Sequence, residues 1–136
     1  MSKKKYWESF EKRAKAWDIT RQIKWFWQRR TRGFDDRDLW NLDNTIIKFI
    51  YPRLEVFRTW QSEHGMSYPS NLDPAAWLDV LNEMVKAFKL LSDTEREFTP
   101  KSGEKIEELL KRNETENEQV RVGLELFAKY LRDLWD

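Results

Sequence analysis

The apolar residues of this chain recur at steps of three and four along almost every segment, with charged residues filling the positions between. That period belongs to a helix, in which side chains three and four apart share one face. Only four glycines and four prolines interrupt the 136 residues, so few positions force the backbone out of helix. The expectation is an all-α fold, a single-domain helical bundle of four to five main helices spanning residues 1–136.

Tyr6, Phe10, Ala14 and Trp17 step along one face, and from about Ile19 a second stretch aligns Ile23, Phe26, Trp27 and Arg30. These are either one long helix or two joined near Asp18, a favoured N-cap type. Gly33 is the expected stop, because it readily takes the left-handed conformation that ends helices. Phe34-Asp35-Asp36-Arg37-Asp38 reads as a loop entering a short helix, with carboxylates favoured at the positive N-terminal end. A longer helix is expected from Asp43 or Asn44, with Ile46, Ile47, Ile50, Leu54, Phe57 and Trp60 on its core face. Pro52 kinks it, lacking the backbone N–H and crowding the preceding turn. Residues 64–72 read as loop. Asp73–Pro74 is a helix start, a capping carboxylate followed by proline at the first position, and Trp77, Leu78, Leu81, Met84, Val85, Phe88 and Leu91 follow in phase. A second connection covers 92–103. The last segment, 104–135, opens with Ile106, Leu109 and Leu110 and closes with Val120, Leu124, Phe127, Leu131, Leu134 and Trp135. Its stretch from Lys111 to Gln119 is wholly polar, which means a break near Asn113 or a helix projecting past the body. Trp77, Phe88, Phe127 and Leu131 are expected to share one core.

A net charge of +1 conceals an asymmetry. Residues 1–34 hold eleven Lys/Arg and three Asp/Glu, a net of +8, whereas residues 35–136 hold fourteen and twenty-one, a net of −7. Such a basic N-terminal segment either folds against its own acidic body or meets an acidic partner, nucleic acid or protein. The absence of cysteine removes disulfide frameworks, thiol nucleophiles and Cys-based zinc sites. No apolar run approaches the length of a membrane span, and the lysine-rich start lacks a signal peptide's apolar region. Twenty aromatics oppose disorder. The expectation is a soluble intracellular domain without a membrane partner.

The catalytic inventory is thin, and no enzyme is expected. His64 is the one histidine, beside no nucleophile motif. A di-iron site would need Glu-x-x-His on two helices, but residue 61 is Gln61 and no second histidine exists. The glycines at 33, 65, 103 and 123 are too scattered for a phosphate-binding loop. Asp35, Asp36, Asp38 and Asp43 are the best metal candidate, oxygen ligands of the kind magnesium takes. Capping explains them without a metal, so neither metal nor cofactor is expected.

The tryptophans carry more information. Most lie in phase with an apolar face, but Trp25 stands about 200° from Trp27 on a helix, among Arg21, Gln22 and Arg29. An exposed Trp between arginines anchors a protein interface or stacks on a base; the alternative is burial by the acidic half of the same chain. Arg21, Trp25, Arg29, Arg30 and Arg32, with Lys24, form the candidate partner-binding patch. For nucleic acid it offers phosphate contacts and stacking, although the pI of 7.9 lies below the strongly basic range of such domains.

Two segments carry a resemblance: Arg32-Gly-Phe-Asp-Asp-Arg-Asp-Leu-Trp-Asn-Leu-Asp43 with the following Ile46-Ile-Lys-Phe-Ile-Tyr-Pro-Arg-Leu54, and Gly123-Leu-Glu-Leu-Phe-Ala-Lys-Tyr-Leu-Arg-Asp-Leu-Trp-Asp136. The pattern resembles small proteins encoded by tailed bacteriophages, with Asp73–Pro74 to Phe88 fitting their middle segment. It supplies no catalytic residues. It implies a viral protein acting in the cytoplasm of an infected bacterium.

The favoured expectation is a non-enzymatic phage interaction protein that binds and inhibits a host factor or defence complex, with anti-CRISPR action as one form. The partner is then a host or phage protein. The alternative is a nucleic-acid-binding accessory protein using the basic aromatic segment 21–32. Salt separates them, because phosphate contacts weaken steeply as salt rises and an apolar interface does not.

Overall fold

The computed structural model describes residues 3–65 and 67–135. The side chains of residues 3–7 and of Phe10 lie outside the described set, and with them the Tyr6 and Phe10 positions of the first helical face. Five α-helices follow in order: α1 (Lys3–Arg32), α2 (Arg37–Trp40), α3 (Leu42–His64), α4 (Pro74–Ser92) and α5 (Ile106–Tyr130), then a 3-10 turn over Leu131–Asp133. No strand occurs among the described residues, and the fold is an all-α helical bundle. The chain divides into two compact units, Met1–Thr45 and Ile46–Asp136.

In the first unit, α1 is one continuous helix, with Asp18 inside it rather than capping a second. Gly33 ends it as expected: its φ is +81° and its N–H donates to the Arg29 carbonyl at 3.1 Å, the left-handed cap that glycine adopts without a Cβ penalty. Among the described residues of this unit only Asp35 is buried.

In the second unit the core gathers around α4, whose helix start follows the expected chemistry. Asp73 Oδ1 accepts the Ala76 N–H at 2.8 Å, and Pro74 occupies the first turn. One face of α4 buries Trp77, Leu81, Met84, Ala87 and Phe88. Leu54 from α3 and Tyr130 from α5 complete the buried cluster, with Ile50, Phe57, Phe127 and Leu134 packed around it. Trp77 meets Tyr130 edge-on at 5.7 Å, and Phe88 meets Phe127 at 5.1 Å. Full burial of a Leu or Met is worth about 1.5–3 kcal/mol each, so Leu81 and Met84, both at zero exposure, anchor the unit.

Gly123 lets α5 approach α4 closely. A Cβ there would fall inside the radius of the Ala87 methyl and 2.8 Å from the Glu83 carbonyl oxygen. Two helices with only hydrogen and methyl between them pack closer than larger side chains allow.

Three expected core positions lie elsewhere. Continuing Ile50, Leu54 and Phe57 by four reaches Gln61, which is buried, while Trp60, about 100° off that line, is 49% exposed. Ile46 is in phase but exposed, because packing begins one turn later, at Ile50. Leu131 is 53% exposed: α5 ends at Tyr130, and the tighter 3-10 turn takes Leu131 out of the α-helical phase that pairs it with Phe127. Phe127 itself is half-buried. Pro52 lies inside α3 without ending it.

The polar interval of α5 neither breaks at Asn113 nor stands free. The 93–105 connection lies against it through Arg96, whose side chain is 7% exposed. Its guanidinium donates to the Leu90 carbonyl (3.0 Å), Glu116 (3.0 Å) and Asn117 (2.9 Å). Arg112 returns the interaction to Glu104 (2.8 Å) and to the Arg96 and Thr99 carbonyls, both at 3.2 Å. The hydrogen bond from Arg112, with one from the Lys101 N–H, lowers the Glu104 carboxyl to about 2. Polar side chains thus do here what apolar ones do elsewhere on α5.

Candidate functional site: two faces of the first helix

Past Gly33 the chain returns along one side of α1, and the charges there direct it. Asp36 receives Gln28 Nε2 (2.9 Å), Lys24 Nζ (2.9 Å) and Arg32 Nη2 (2.6 Å), and its own N–H donates to Gln28 Oε1. Asp35 is fully buried between two guanidiniums, accepting from Arg37 Nη2 at 2.8 Å and Arg29 Nε at 2.6 Å. Asp38 takes the other arm of Arg29 at 3.2 Å. Hydrogen bonds from Arg37 and then Arg29 hold the Asp35 carboxyl well below the usual range, and those from Gln28, Lys24 and Arg32 do the same for Asp36.

The candidate metal cluster is therefore occupied by cations of the chain itself. Asp35, Asp36 and Asp38 bind arginine and lysine, and Asp43 stands in the first turn of α3. Among the described residues no group of three or more metal-ligating side chains is placed to hold an ion. His64 closes α3 rather than opening the following loop, and its ring packs edge-on against Trp60 at 4.8 Å. No helix among the described residues is long and apolar enough to cross a membrane.

The five candidate partner-binding residues divide between opposite sides of the helix. Trp25 is half-buried, its ring between the Arg21 guanidinium at 4.8 Å and that of Arg37 at 4.4 Å. Arg21 also lies over Trp17, at 4.9 Å. Arg29 and Arg32 are committed to the aspartates. Arg21, Trp25, Arg29 and Arg32 thus gather on the side the returning chain covers, whereas Arg30 points away and has no ion pair among the described residues.

Arg30 shares its side of α1 with Ile19, Ile23 and Phe26, at steps of four, three and four, and Trp27 borders them. This stripe is exposed: Ile19 60%, Ile23 54%, Phe26 64% and Trp27 59%. Of the two outcomes open for Trp25, the structure shows it half-buried against the returning acidic segment. Trp25 lies under arginines, and the aliphatic and aromatic stripe faces outward. Arg37 was not among the candidates; its place between Asp36 and Asp38 was the available signal, since a cation amid carboxylates at a turn tends to bridge them. The chain matches no family model, and no curated protein and no solved structure is significantly similar to it.

Proposed function

We propose that this chain is a non-enzymatic interaction protein that presents the Ile19–Ile23–Phe26–Trp27 stripe of α1, with Arg30, to a protein whose surface combines apolar and acidic groups. The observation carrying the reading is that stripe: four large apolar side chains on adjacent turns, each more than half exposed, in a unit whose one buried described side chain is a carboxylate. A contiguous apolar surface in a polar surround marks an interaction site more often than chance exposure does. Aromatic anchors flanked by an arginine are the residue types that dominate binding energy at interface centres. The net positive charge of residues 1–34 favours an acidic partner and speeds its approach.

The resemblance to tailed-phage proteins supports a host factor or defence complex in the bacterial cytoplasm as that partner, with inhibition as the outcome of binding. A nucleic acid fits the stripe less well, because Ile19 and Ile23 offer neither phosphate contacts nor stacking surface, and Arg29 and Arg32 already hold aspartates.

The test is capture from infected-host extract by the intact chain and by an Ile23→Glu/Phe26→Glu variant. Protein capture that survives high salt, and is lost in a variant of unchanged helicity, supports the reading. Equal capture by both proteins, or recovery only of nucleic acid that high salt releases, refutes it.

A further inference from the structure

The second unit carries its own exposed apolar stripe, separate from that of α1. Phe49, Arg53, Val56 and Trp60 recur at steps of four, three and four on the outer face of α3, with Phe49 59% and Val56 69% exposed. Two adjoining depressions open along it. One is bounded by Phe49, Ile50, Leu54, Phe57, Phe127 and Leu134, the other by Pro52, Val56, Phe57 and Trp60, and Arg53 is the charged residue lining both. Arg53 stacks on Phe49 at 3.9 Å and donates to the Phe49 carbonyl. It meets no carboxylate among the described residues. An occupant of this groove needs an apolar helical face and an acidic group near its middle.

The chain itself contains such a face. At the start of α5, Ile106 is 76% and Leu110 62% exposed, one turn apart, and the next turn on that side brings Glu114, also exposed and without an ion pair among the described residues. The two regions are complementary in charge. Residues 104–118 hold six Glu against three Lys/Arg, a net of −3. The groove's own segments are positive: α3 residues 48–60 carry +2 and residues 119–135 carry +1. The stripe of α1 is the wrong sign for this groove, since it would set Arg30 and the basic N-terminal segment against Arg53.

We propose that the groove on α3 receives the Ile106–Leu110–Glu114 face of a second copy, with the α5 helices of the pair antiparallel and Arg53 of each copy facing Glu114 of the other. The lengths permit it. Leu110 and Phe127 lie about 25 Å apart along α5, so in an antiparallel pair each acidic end reaches the other copy's groove, and both contacts close at once about a twofold axis. The partnership uses residues of the second unit alone, none of them from the α1 stripe.

Sedimentation of the full chain across micromolar to sub-millimolar concentrations tests this. A dimer is expected, with Leu110→Glu, Arg53→Glu and Glu114→Arg each weakening it by about tenfold or more without loss of helicity. Arg53→Glu combined with Glu114→Arg restores the dimer, because the reversed charges again face each other, and Phe26→Glu leaves it intact. A chain that stays monomeric throughout overturns the proposal. So does a dimer insensitive to Leu110→Glu and Arg53→Glu, one that the double reversal fails to restore, or one lost only in Phe26→Glu.

Discussion

Replacing Gly123 with alanine opposes two physical effects whose signs differ, and the structure decides between them. In an exposed helix the change stabilises by about 0.8–1 kcal/mol, because alanine loses less backbone freedom on folding. Here the added methyl would enter the space of the Ala87 methyl and come within 2.8 Å of the Glu83 carbonyl. Neither neighbour can rotate away, since a methyl has no further torsion and the carbonyl belongs to α4. Relief requires moving α5 from α4 by more than about 1 Å, the shortfall from ordinary carbon–carbon separation, and that motion loosens the packing of Trp77 on Tyr130 and Phe88 on Phe127. Overpacking of this kind costs about 1–3 kcal/mol, and with both neighbours rigid the upper end applies. Subtracting the propensity gain leaves a net loss of about 2 kcal/mol. Urea titration followed by helical circular dichroism measures it, as a lower midpoint at unchanged slope. Ala87→Gly should then cost less in the Gly123→Ala background than in the natural chain, with a coupling of about 1 kcal/mol or more. A more stable Gly123→Ala protein, or additive double-mutant energies, would refute the close approach of the two helices.

Arg96→Met should destabilise by about 3 kcal/mol, as removal of one member of a buried charged network does, and should raise amide exchange across residues 93–105, which that guanidinium holds to α5. Phe127→Ala is expected to cost about 2 kcal/mol, below the 3–5 of a fully buried phenylalanine, while Leu131→Ala costs less than about 1; equal losses would contradict their different burial. Because the carboxyls of Asp35 and Asp36 are lowered relative to the unfolded chain, their stabilisation is fully present above about pH 4 and is lost as pH falls through the lower folded values. Carboxyl-carbon NMR should therefore show both titrating below an ordinary aspartate, and Glu104 near 2; ordinary midpoints for the two aspartates would mean that the turn after α1 does not hold in solution, and an ordinary Glu104 that its pairing with Arg112 does not.

The helical class, the Asp73–Pro74 start, the Gly33 stop and the core face of α4 were legible in the sequence, because each depends on groups within a few residues of one another. Apolar period, a capping carboxylate and a left-handed glycine act locally, and neither tertiary packing nor charge at a distance alters their meaning. The continuity of α1 through Asp18 and of α5 through Asn113 was not legible. Asp18 reads equally as a cap or as an exposed helical residue, and the polar stretch of α5 gains its partners from Arg96, a residue of the preceding connection. Periodicity also identifies a face without saying what covers it. Ile23, Phe26 and Trp27 have the spacing of a core stripe and lie exposed, while Trp25, among polar neighbours, is covered by a segment that returns because Asp35 and Asp36 pair with cations of α1. Local chemistry determined which residues share a helix face; which faces are covered, and by what, was decided by chain reversals and by ion pairs that form only once the chain has folded back.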